Sequence, residues 1–303
     1  MASYVLILTL ILSCNPFFEQ LVNRIRHTNI TKADSLWKMY LESLKQENRF
    51  TEHPAQIGAP DNIKDYEIRF ANNEISEAEF AFFIGREFAK DAQPMESEWF
   101  LNKSESLGYI CAETYLMRAL NYENEWNNCL HYDEDLSDPR LSFYEKKWRE
   151  NLEKFITISD DSLAIDDSRL RLTCIYWPFR TPIYVNEFAP VVIKNLEEFI
   201  DKYPKSKVIE NAYERLIWWL SETRQFAKLK NVCLNFLKKY PISTIKEYMK
   251  IWLGISYLET TDTLRARQVL MAVKTDSLPQ LVYPGWGKPY IIEFYENRLL
   301  NIK

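Results

Sequence analysis

Two eight-residue phrases constrain this chain more than anything else in it. FIDKYPKS at Phe199–Ser206 and FLKKYPIS at Phe236–Ser243 are near-copies, and their prolines, Pro204 and Pro241, stand 37 residues apart. A period of that size marks a unit too small to bury a core alone, so it must stack on its neighbours. Between the phrases, Ile209, Ala212, Tyr213, Leu216 and Leu220 form one apolar helical stripe; after TRQ, a second runs through Phe226, Leu229, Val232, Cys233, Phe236 and Leu237. Two amphipathic helices with so short a joint fold back on each other. Each Tyr-Pro then stops the second helix, because proline lacks the N–H and pushes the residue before it toward extended backbone.

These residues resemble the tetratricopeptide repeat, and the next segment resembles it more closely. Leu253, Gly254 and Tyr257 stand at the family's Leu-Gly-x-x-Tyr spacing, with Ala266 at its small second-helix position and Leu270 at the large apolar position beyond. The resemblance implies hairpins whose axes approach closely where Gly254 and Ala266 lack bulk. In the earlier unit Ile217 and Leu229 occupy the small positions, which predicts a more splayed hairpin. The likeness runs from Val191 to Val273. Upstream, Ile84-Gly85, Phe88, Phe100, Ser104, Gly108, Ala112 and Leu116 resemble the Sel-like subfamily, with the loop between Gly85 and Phe100 too short for it.

Composition points the same way. Only 6 Gly and 13 Pro in 303 residues leave few breakers, and no strand-and-turn alternation is present, so the expected fold class is all-α, a solenoid of helical hairpins. With 47% hydrophobic and 27% charged residues the chain can bury a core and stay soluble. A net charge of −5, with no basic cluster longer than KWR or KLK, argues against nucleic acid as a partner. In the first half, Thr31 is expected to cap a helix that buries Leu36, Met39, Tyr40 and Leu44. LSFYEKKWRENLEKFITI reads as another helix, ending before an acidic turn, SDDSLAIDDS. Pro178, Pro182 and Pro190 predict an irregular or kinked connection. The expected organisation is a signal peptide over 1–13, a helical region over 14–165, repeat hairpins over 166–275, and a loop with a capping helix over 276–303.

The amino terminus carries an address. Tyr4 to Leu12 is an uncharged apolar run, too short to span a bilayer but of the length of a signal-peptide core. Ile11, Leu12 and Ser13 directly before Cys14 resemble the lipobox of bacterial lipoproteins, although the basic residue that family carries before the run is missing from MAS. The resemblance implies cleavage before Cys14 and lipidation of its thiol and new amino group, an anchor of three acyl chains. The ending F-x-x-x-Y-P-x-S is also similar to that of tetratricopeptide lipoproteins of bacterial envelopes, such as the β-barrel assembly lipoproteins and relatives of the Tol-Pal coordinator. The localisation so implied is the bacterial cell envelope, at the outer membrane and facing the periplasm.

No catalytic, metal or cofactor constellation is readable. Cys111, Cys129, Cys174 and Cys233 contain no Cys-x-x-Cys pair and read as buried thiols. Asp133, Asp135 and Ser137 alternate as in a calcium loop but lack its glycine and closing glutamate. His27, His53 and His131 have no second ligand at helical spacing. Carboxylate pairs on the helices read as solvated ion-pairing groups, and no nucleophile–base pair suggests an enzyme. The expected function is therefore a membrane-anchored scaffold that binds another envelope protein. With Leu216 and Leu253 as buried anchors, the repeat resemblance directs Asn211, Glu214, Trp218 and Ser221, then Tyr248, Ile251, Ile255 and Leu258, into a concave groove, unless a neighbouring helix covers it. The alternative is a glycan-binding lipoprotein, since 9 Trp and 18 Tyr could furnish stacking platforms. Trp286, in the YPGWGKPY turn, reads as packed over the last hairpin.

Overall fold

A computed structural model describes residues 15–27, 30–47, 60, 62–133, 136–175, 185–274 and 297. Among them all regular structure is helical: thirteen helices and no strand. The chain divides into two compact units, Met1–Ser159 and Asp160–Lys303.

The first unit holds α1 (Pro16–Arg26), α2 (Ile30–Glu47), α3 (Ile63–Ala71), α4 (Glu77–Lys90), α5 (Pro94–Ser106), α6 (Ala112–Asp133) and α7 (Pro139–Ile158). Three starts have a side-chain cap as their local cause. Asn15 Oδ1 accepts from the amides of Phe17 and Phe18 at α1, Ser76 and Glu79 form a reciprocal capping box at α4, and Asp138 caps α7. Aromatic rings fill the core: Phe88 lies parallel to Phe100 with centroids 5.6 Å apart, and Trp37 stacks on Phe80 at 5.7 Å. Two polar side chains of α2 find partners across helices, Tyr40 Oη donating to Glu67 Oε1 at 2.6 Å and Trp37 Nε1 to Glu77 Oε1 at 2.8 Å.

The structure corrects the expected phase of α2. It begins at Ile30, ahead of Thr31, and buries Ala33, Trp37, Tyr40, Leu41 and Leu44, while Met39 is 44% exposed. Trp37 decides the rotation, because only that face lets its ring reach Phe80 and Phe100 at once.

The second unit holds α8 (Ser162–Arg171), α9 (Val185–Lys202), α10 (Ile209–Glu222), α11 (Phe226–Lys239), α12 (Lys246–Glu259) and α13 (Thr263–Met271), each packed on the next. Two expectations fail here. The acidic stretch after Ile158 is a helix, α8, because Asp161 caps it by accepting from the amides of Leu163 and Ala164. Pro190 lies inside α9, in its second turn, rather than in an irregular connection; Pro178 and Pro182 lie outside the described residues.

Hydrogen bonds repeat with the sequence period. After α10, Thr223 Oγ1 donates to Trp219 O at 2.7 Å and the amide of Gln225 to Leu220 O at 2.8 Å; after α12, Thr260 and Asp262 make the same two bonds to Ser256 and Tyr257 at the same lengths. Between them sit Arg224 and Thr261, both left-handed, at φ 54° and 66°. The backward bond over a left-handed residue closes each helix within a turn. At the other end, a carboxylate near the start of each first helix clamps the backbone after the following second helix. Asp166 of α8 accepts from the amide of Lys207 at 2.9 Å, Glu210 of α10 from that of Thr244 at 3.2 Å, and Glu247 of α12 from that of Lys274 at 2.8 Å. Tyr240 Oη then donates to Pro204 O at 2.9 Å, tying the second phrase to the first.

Gly254 has the steric reason expected of it, with a different partner. A Cβ at that position would fall inside the side chain of Leu270, and Ala266 is fully buried beside the same contact. α12 also packs more extensively on α13 than α10 does on α11, in line with the bulk of Ile217 and Leu229.

Candidate functional site

The eight groove residues divide by burial. Asn211 is exposed, and Glu214, Ser221 and Leu258 are half-buried, with Ser221 Oγ turned back to Trp218 O at 2.8 Å. Trp218, Tyr248, Ile251 and Ile255 are buried, at 9%, 5%, 1% and 2% exposure. The large apolar residues of the expected groove are therefore covered, and Glu214 is one of its half-buried polar members. Burial pushes its carboxyl up to about 7, the nearby Glu210 adds to the rise, and Arg215 opposes it.

A second concave feature lies in the first unit, where α1, α5 and α6 meet around a pocket of about 340 Å³. One face of α5 supplies Met95, Glu98 and Asn102; one face of α6 supplies Asn121, Tyr122 and Glu125; Ile25 closes the wall from α1, and Pro94 and Trp99 complete it. The walls are mainly apolar and aromatic, with a few polar groups set among them, as in small-molecule sites generally.

Those polar groups are incompletely paired. Asn121 is only 3% exposed; its Nδ2 donates to Ser97 Oγ at 2.9 Å, and its Oδ1, shut off from solvent, has no partner. Glu98 approaches Arg118 Nε through Oε1 at 3.3 Å, while its Oε2 is likewise buried and unpartnered. The Arg118 guanidinium is otherwise engaged, Nη2 donating to Asn102 Oδ1 and Glu105 Oε2, each at 2.7 Å. Burial raises the Glu125 carboxyl above its ordinary range against the pull of Arg140, and raises the Tyr122 phenol with help from the Glu98 charge.

The sequence holds a signal for this pocket: Glu98 with Asn102, and Asn121 with Glu125, are carboxylate–amide pairs four residues apart, each beside an aromatic. Helical spacing alone gives such pairs the look of solvated surface. Cys14, His53 and Trp286 lie outside the described residues. No disulfide joins Cys111, Cys129, Cys174 and Cys233, and burial raises the Cys233 thiol. Among the described residues, no three His, Cys, Asp or Glu side chains come together as a metal-ligand set, and no helix is long and apolar enough to cross a membrane. Comparison of the chain with protein-family models, with curated proteins and with solved structures returned no match.

Proposed function

We propose that the chain is a tetratricopeptide-like scaffold of the bacterial cell envelope, anchored through a lipidated Cys14 at the outer membrane, that binds another protein and performs no chemistry on it. The observation that carries this reading is the recurrence of one hydrogen-bond pattern through α8–α13, with the same turn after α10 and α12 and the same carboxylate clamp from Asp166, Glu210 and Glu247. Units that repeat both their sequence period and their junction chemistry stack in register, and a stack of that kind offers an extended surface to a partner. Burial of Trp37, Trp126, Trp148, Trp218, Trp219 and Trp252 favours a protein partner over a glycan, because it leaves few tryptophan rings to stack on sugars.

The anchor and the partner are tested together. Wild-type protein should take up labelled palmitate, fractionate with membranes and retain an envelope protein in pull-downs, and should bind nothing on a glycan array. Cys14→Ser should lose the label and leave the membrane fraction. A mature chain that starts at any residue other than Cys14 would sink the anchor, and selective capture of a glycan would replace the protein partner.

A further inference from the structure

We infer that the pocket between α1, α5 and α6 binds an organic cation: a primary ammonium or guanidinium group on a short apolar stem. The polar complement of the pocket decides the ligand's sign. Glu125 is a half-buried carboxylate on the wall, where desolvation rather than a hydrogen-bonded partner governs its charge. A ligand cation brings Glu125 the opposite charge that its site lacks in contact, whereas an anion meets two carboxylates, Glu98 and Glu125. Arg118 pairs with Glu98 at 3.3 Å and is shared with Asn102 and Glu105, while Arg140 acts on Glu125 only through space, so Glu125 is the carboxylate left for a ligand's charge.

The rest of the pocket fits the remainder of such a ligand. Trp99 and Tyr122 line the pocket, and aromatic rings attract a cation placed over them, most strongly where water is excluded. Ile25, Pro94 and Met95 give an alkyl stem an apolar wall. A volume of about 340 Å³ lies at the small end for ligand sites, enough for one stem with its charged head. A free amine and the side chain of a lysine or arginine on a bound peptide share this chemistry.

Calorimetric titration of the full chain with n-butylamine, agmatine, Nα-acetyl-lysine amide and 1-butanol tests the assignment. Butylamine and agmatine should bind and quench tryptophan fluorescence, and 1-butanol, which keeps the stem and loses the charge, should not bind. Glu125→Gln should weaken butylamine by about tenfold or more, as loss of a desolvated charge partner does. The lysine amide binding as well as butylamine identifies a peptide side chain as the source, and exclusion of the lysine amide identifies a free amine. Glu98→Gln should act like Glu125→Gln; if it unfolds the unit by stranding Arg118, Glu125→Gln alone decides, its fold checked by an unchanged melt. Equal binding of butanol and butylamine, unaltered affinity in folded Glu125→Gln, or no binding of any amine overturns the inference.

Discussion

Glu214 shows how one side chain can carry a pH dependence. Its carboxyl is raised in the folded chain to about 7 from an ordinary 4.5, so the folded state holds a proton that the unfolded state releases earlier. Below the unfolded value both states are protonated and the residue costs nothing. As pH rises from 4.5 through 7 the unfolded state is favoured, and the loss is complete above 7. A shift of this size corresponds to at most roughly 3 kcal/mol. Glu214→Gln should therefore leave stability unchanged near pH 4 and raise it by about 1–3 kcal/mol at pH 8. Denaturant melts across that range decide the matter: parallel pH profiles for wild type and variant would refute the role. Helical phase alone assigns Glu214 to the groove, and its burial beside Glu210 is what gives it this further property.

At the scale of the element, the hairpin α12–α13 depends on one absent side chain. Leu270 occupies the space that a Cβ on Gly254 would need, so Gly254→Leu must drive the two helices apart. Overpacking of this severity costs roughly 1–3 kcal/mol or more, and the melting midpoint should fall by several degrees; an unchanged midpoint would mean that the two helices do not meet there. This contact is legible in the sequence because glycine in a helix is expensive and so marks a close approach. The stripes of α10 and α11 and the Tyr-Pro stops are legible for a related reason: they are local. What escapes is decided at a distance. Met39 and Trp37 both lie on plausible faces of α2, and Phe80 and Phe100, far along the chain, choose between them. Asp166 has the look of an acidic turn residue because its partner, the amide of Lys207, is forty-one residues away. Glu98 and Glu125 pass for solvated charges until the fold half-buries them on a wall shared with Ile25 of α1.

For the whole molecule, the consequence of an anchor depends on the length of chain between it and the fold. Asn15, the residue after Cys14, is fully buried: its Oδ1 caps α1 and its Nδ2 donates to Ser43 Oγ of α2 at 2.9 Å. A lipidated Cys14 would thus be joined to the first unit with no tether between, and one extended residue reaches only about 3.5 Å. The fold would be held at the bilayer surface, and its amino-terminal peptide bonds would be closed to proteases by the cap itself. On vesicles, native protein should resist release by a broad-specificity protease at concentrations that leave its body intact. A twelve-residue Gly-Ser insert between Cys14 and Asn15 would give a flexible reach of about 20 Å, and should make release rapid while leaving the melt unchanged. Release of native protein with α1 intact, as fast as that of the insert, would mean that the anchor and the fold are separated after all. Asn15→Ala gives the complementary result: it removes a cap worth about 1 kcal/mol and the donor to Ser43 Oγ, which keeps its bond to Tyr40 O, so its release should quicken together with a lower melting midpoint.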